Sequence, residues 1–235
     1  MLKENLPAYV GNEDSGLTKA QHSRRNFLGY AGAAAGVGGL MLAGTSCKKG
    51  NPGTYFDVNL GTGDLGILNY AYALEQLEAA FYTQVIMSQY SGITPTETAF
   101  LTDIRDHEIA HREFFKNALG AAAIKGLEVN FSSINFGSRD SVLGTAKAFE
   151  DLGVSAYNGA GKLLLSADYL LLAGKIVSVE ARHAALIRDL LSNGSFADST
   201  VIDANGLDTS RTPAQVLAIA RTYIKTTIDD SNLPT

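Results

Sequence analysis

Four stretches of this chain have helical periodicity, and each sets a glutamate in the middle of an otherwise apolar stripe. At 3–4 spacing the first stripe reads Leu68, Ala71, Glu75, Glu78, Tyr82, Val85, and the second Leu101, Ile104, Glu108, His111, Phe115, Ala118. The third reads Leu143, Ala146, Glu150, Gly153, Tyr157, Ala160, Leu164, and the fourth Tyr169, Ala173, Ile176, Glu180, His183, Ile187, Leu190. An isolated carboxylate taken into a dry core costs several kcal/mol, so a fold that buries these stripes must neutralise their acids. Two divalent cations would balance four glutamates, and two histidines would complete the donor set.

The acids also repeat. Glu108-Ile109-Ala110-His111 and Glu180-Ala181-Arg182-His183 are both Glu-x-x-His, and Glu75 and Glu150 each precede a tyrosine, Tyr82 and Tyr157, by seven residues. The two halves match helix pair for helix pair. Positions three apart share a helix face, so each Glu-x-x-His can present both side chains to one metal pair. Glu78 shares the inward stripe and ranks behind Glu75, because only Glu75 has the tyrosine offset. Tyr82 and Tyr157 are candidates to bond a ligating carboxylate through their hydroxyls.

The helices are predicted over 65–89, 95–119, 139–162 and 167–193, with a short fifth over 213–225. Asp64 is placed to cap the first helix. Thr94-Pro95-Thr96-Glu97 and Thr212-Pro213-Ala214-Gln215 are capping boxes with proline at the first helical position. Joins of about five residues make helices 1 and 2, and helices 3 and 4, antiparallel hairpins. The long segment 120–138 then crosses between the pairs. Strand signals are weak, with β-like alternation only over 127–136. The expectation is an all-α four-helix bundle over 65–194 with one long crossover and a C-terminal extension over 195–235.

This pattern resembles the ferritin-like di-iron carboxylate proteins, such as bacterioferritin and rubrerythrin. The segments 74–82 (Leu-Glu-Gln-Leu-Glu-Ala-Ala-Phe-Tyr), 153–157 (Gly-Val-Ser-Ala-Tyr) and 179–185 (Val-Glu-Ala-Arg-His-Ala-Ala) are similar to the exported ferritin-like branch that includes desiccation-related proteins. The resemblance implies Glu75, Glu108, His111, Glu150, Glu180 and His183 as ligands of a dinuclear centre, most simply two iron ions and alternatively manganese. It further implies redox chemistry on O2 or peroxide. With no cysteine-rich rubredoxin module present, electrons would come from an external donor. A different class of reading is a metal-free, structural bundle of the envelope or of the stress response.

His107-Glu108-Ile109-Ala110-His111 is also literally His-Glu-x-x-His, the zinc metallopeptidase signature. It would need Glu128 or Glu150 as third ligand, and it leaves Glu75, Glu150, Glu180 and His183 unexplained as a set. His107 is otherwise expected on the helix flank, paired with Asp103 or Asp106. Arg105 and Arg112 are expected on the solvent side.

Upstream, Ser23-Arg24-Arg25-Asn26-Phe27-Leu28 opens a glycine- and alanine-rich apolar run to Gly44. A paired arginine before a short apolar segment is the pattern of a twin-arginine export signal, assigned to 1–46. Leu42-Ala43-Gly44-Thr45-Ser46-Cys47 resembles a lipoprotein boundary, which makes Cys47 a candidate for lipidation and 47–64 a flexible tether. The expectation is a periplasmic or cell-envelope protein that meets the membrane only through a lipid anchor. Twin-arginine export implies a chain that crosses already folded, commonly with its metal loaded. Cys47 is the only cysteine, so no disulfide framework or thiolate cage forms within one chain. The net charge of -5 and 18% charged residues fit a globular domain and give no basic footprint for nucleic acid.

Overall fold

The computed structural model describes residues 56–235; the arginine pair, the apolar run after it and Cys47 lie outside the described residues. Four long helices, α1 (Gly63–Met87), α2 (Pro95–Leu119), α3 (Arg139–Gly161) and α4 (Ala167–Leu191), are followed by a short α5 (Pro213–Ala220). The α1–α2 and α3–α4 hairpins pack as pairs, and the segment between α2 and α3 makes the one long crossover. The predicted all-α four-helix bundle with its added C-terminal helix is therefore the fold. Among the described residues no helix is long and apolar enough to cross a membrane.

The caps explain most helix starts. The Thr94 side chain accepts from Glu97 N while the Glu97 carboxylate accepts from Thr94 N, and Thr212 and Gln215 repeat the arrangement at α5. Ser138 and Ser166 accept from the third residue of α3 and α4. Asp64 does not cap α1. The helix begins at Gly63, two residues before the expected start, with Thr62 at its N-cap, and Asp64 instead accepts from Leu165 N at 2.8 Å and Ser166 N at 2.9 Å. It thus ties the α3–α4 turn to the start of α1. The fifth helix ends at Ala220 and tightens into a 3-10 turn over Arg221–Tyr223, shorter than the expected 213–225.

α1 is buried on nearly every side: all residues from Gly66 to Ala79 are buried, polar ones included. A helix wrapped this way needs cover beyond its three partners. The crossover and the segment just before α1 provide it. Asn69 Nδ2 donates to Leu60 O and Ala122 O while its Oδ1 accepts from Ile124 N, and Gln76 Oε1 accepts from Leu127 N. The expected alternation over 127–136 amounts to one antiparallel bridge, Val129 with Ile224. A two-residue parallel ladder joins β1 (Val58–Asn59) to β2 (Ile228–Asp229). The C-terminal extension is anchored by Arg188, 2% exposed, whose guanidinium holds Asp151 through two bonds of 2.7 and 2.8 Å and reaches Thr200 Oγ1 at 3.0 Å.

Candidate metal centre

Each long helix brings one glutamate to the bundle axis. Glu75 from α1, Glu108 from α2, Glu150 from α3 and Glu180 from α4 are each 0% exposed. His111 and His183 lie one turn after Glu108 and Glu180, where the i,i+3 spacing keeps them on the same face. All six candidate residues named from the sequence are brought together.

Their donor atoms form two overlapping groups: Glu75, Glu108, His111 and Glu180, and Glu108, Glu150, Glu180 and His183. His111 Nδ1 lies 2.8 Å from Glu180 Oε1, 3.4 Å from Glu75 Oε2 and 3.7 Å from Glu108 Oε2. His183 Nδ1 lies 2.9 Å from Glu108 Oε1, 3.5 Å from Glu150 Oε2 and 3.7 Å from Glu180 Oε2. Glu108 and Glu180 therefore divide their oxygens between the two imidazoles, whereas Glu75 serves only the first group and Glu150 only the second.

The oxygens of Glu75 and Glu150 that point away from the imidazoles are taken by tyrosines. Tyr82 donates to Glu150 Oε1 at 2.5 Å, and Tyr157 donates to Glu75 Oε1. Burial first, then the neighbouring carboxylates, hold both phenols well above the usual tyrosine range, so they remain protonated donors. The remaining inward atoms are orphans. Six carboxylate oxygens (Glu75 Oε2, both of Glu108, Glu150 Oε2, both of Glu180) and two imidazole nitrogens (Nδ1 of His111 and of His183) are buried without a hydrogen bond of acceptable angle. Buried polar atoms are normally paired, so lone pairs converging on a shared point at these distances have the geometry of an ion's donor set. Four carboxylates and two imidazoles also match hard-to-borderline divalent cations in charge and donor type. The residues could hold such a cation.

The electrostatics of the metal-free site agree. Burial drives the Glu75 carboxyl well above its ordinary range, assisted by Glu180. Burial also lifts Glu150, to about 8. Burial opposes charge on the imidazoles, yet the surrounding glutamates carry His111 and His183 up to about 12. At Glu108 burial is outweighed by the two histidines, which bring the carboxyl down to about 2. Without a cation the cluster is thus held together by protons.

Glu78 joins neither convergent group. It is 4% exposed beside Gly153, where a Cβ would stand 3.1 Å from its Oε1, and burial followed by Glu108, Glu180 and Glu150 raises its carboxyl well above the ordinary range. Glu78 and Gly153 hold equivalent places in the two halves, three residues after Glu75 and Glu150, so the repeat breaks at this position.

His107 departs from expectation. Asp106 pairs with Arg105 at 2.8 Å, and His107 turns its Nδ1 to His183 Nε2 at 2.9 Å, with the two rings 9° from coplanar. Among the described residues no group of three converging donors includes His107, and Glu128 is exposed on the crossover. The zinc-peptidase donor set is not assembled. The sequence signal for the His107 contact was its place one turn before His111, but only the packing of α2 beside α4 turns that place into a bond with His183. Arg105 and Arg112, with side chains 26% and 33% exposed, pair with their neighbours Asp106 and Glu113.

A bundle of this connectivity with facing carboxylates and Glu-x-x-His pairs at its axis defines the ferritin-like class. The family model for a ferritin-like domain matches residues 63–193, and the chain belongs to that family. No curated protein matches the chain.

Proposed function

We propose that this is an exported ferritin-like protein carrying a dinuclear metal centre, with iron as the resident metal and manganese as the alternative on the same donors. The observation that carries the reading is the division of the Glu108 and Glu180 oxygens between His111 and His183, with Glu75 and Glu150 each confined to one side. Two positions that share two carboxylates are what a metal pair requires. Glu75, Glu108, His111 and Glu180 would hold one ion, and Glu108, Glu150, Glu180 and His183 the other.

When bound, two ferrous ions supply two electrons, enough with two protons to reduce hydrogen peroxide to two waters or dioxygen to hydrogen peroxide. The protein's part is to exclude bulk water, set the donors and keep protons in place. The Tyr82 and Tyr157 hydroxyls orient Glu150 and Glu75 so that the opposite oxygens face the ion positions. An external electron donor would restore the reduced state.

The arginine pair at Arg24-Arg25 and the boundary at Cys47 support export by the twin-arginine route and a lipid anchor, with the bundle at the cell envelope. Elemental analysis of the mature chain, made without residues 1–46 and kept anaerobic, tests the central claim. The expected result is close to two irons or manganeses per chain. One zinc, or no metal after reconstitution with ferrous iron, overturns it.

A further inference from the structure

The internal repeat that builds the site is broken on its outer side as well as at Glu78. The residue before Glu108 is His107, whereas the residue before Glu180 is Val179. His107 is exposed, yet its Nδ1 lies 2.9 Å from Nε2 of His183, which is 4% exposed. The rings are 9° from coplanar with centroids 5.2 Å apart, so they meet edge to edge in the plane of the bond. His183 Nδ1 faces Glu108, Glu150 and Glu180. If that nitrogen gives its lone pair to an ion, the ring's remaining proton sits on Nε2 and His107 Nδ1 accepts it. Val179 has no side-chain atom that could do the same for His111.

We infer that His107 is a positioning residue for His183, fixing its tautomer and ring plane, and that it makes the two metal positions of the centre inequivalent. The inference rests on the dinuclear reading above. A partner on the far nitrogen of a ligating imidazole typically secures 10–100-fold in metal affinity. Here that gain falls on the His183 position alone.

The test is titration of the metal-free mature chain with cobalt(II) alone, read by its visible spectrum and by chelator competition. His183→Ala and His111→Ala assign the two binding steps. His107→Val, which copies the residue of the other half, is expected to weaken the His183 step 10–100-fold and the His111 step far less. His107→Asn, whose side-chain oxygen can stand close to the position of the lost Nδ1, is expected to restore most of the loss. Because His107 is itself exposed, the metal-free His107→Val chain should still fold cooperatively, with a thermal midpoint lowered only by the loss of the bond to His183. Equal weakening of both steps, no weakening, or loss that His107→Asn does not restore overturns the inference. Failure of the parent chain to bind cobalt overturns the dinuclear reading itself, and the inference with it.

Discussion

Tyr82 donates its phenolic hydrogen to Glu150, on the facing helix, and not to Glu75 on its own. Tyr157 does the reverse and donates to Glu75. Seven residues along a helix is two turns, a rise of about 10 Å that separates each tyrosine's backbone from the glutamate of its own motif. The offset places each hydroxyl at the level of the partner helix's acid once α1 and α3 are antiparallel. The exchange links the two halves through the carboxylates that each serve one side of the site.

Replacing these tyrosines should therefore act across the repeat. Tyr82→Phe keeps the ring packing and leaves Glu150 Oε1 without its donor; Tyr157→Phe does the same to Glu75. Each should lower the stability of the metal-loaded protein by about 1–3 kcal/mol, the cost of leaving a buried acceptor unsatisfied. Urea denaturation checks this, and an unchanged midpoint for both variants would show that the hydroxyls are dispensable.

Glu108 and Glu180 belong to both donor groups, and Glu75 and Glu150 to one each. The double variant Glu108→Ala, Glu180→Ala should bind no metal and remain helical by circular dichroism. Glu75→Gln should leave about one ion per chain, on the His183 side. Elemental analysis after dialysis reads both results, and two metals retained in the double variant would refute the assignment.

The protons that hold the metal-free cluster predict an inverted pH profile. Glu150 is raised from its ordinary value to about 8, so the folded chain keeps a proton that the unfolded chain releases. That stabilisation is complete below about pH 4.5 and is lost as pH rises to about 8, with a slope of up to about 1.4 kcal/mol per pH unit for this one group. Glu75 and Glu78 act in the same sense, and the histidines continue it from about pH 6.5 toward 12. Glu108, lowered to about 2, works the other way and matters only below its ordinary value. With chelator present, the melting temperature should be higher at about pH 5.5 than at about pH 8.5. With iron(II) or manganese(II) the order should reverse, because the cation competes with those protons. The same order in both conditions would exclude a site exchanging protons for metal.

Arg188 closes the C-terminal extension onto the bundle, gripping Asp151 through two bonds and approaching Asp198 at 3.3 Å. Arg188→Ala should cost about 3–5 kcal/mol, since it strands a partly buried carboxylate. Arg188→Lys should recover little of this, because an ammonium cannot make the paired contact. Thermal unfolding of the two variants checks the prediction; a loss confined to Arg188→Ala would show that charge alone suffices.

The four helices, both capping boxes, the long crossover and the six converging donors could be read from local information. Apolar spacing, cap chemistry and the i,i+3 offset of Glu108 with His111 and Glu180 with His183 are properties of short segments, and a buried acid on every helix leaves few ways to neutralise them. Tertiary structure decided what depends on neighbours distant in sequence. Gly159 is one case: a Cβ there would stand 1.7 Å from Arg211 O, so the glycine in α3 answers to the returning C-terminal segment and not to the helix. The enclosure of α1, the crossed tyrosines and the turning of His107 to His183 follow from which helix lies beside which. A periodic pattern states which face of a helix is buried, but the partner of each buried polar atom is fixed only when separate helices meet.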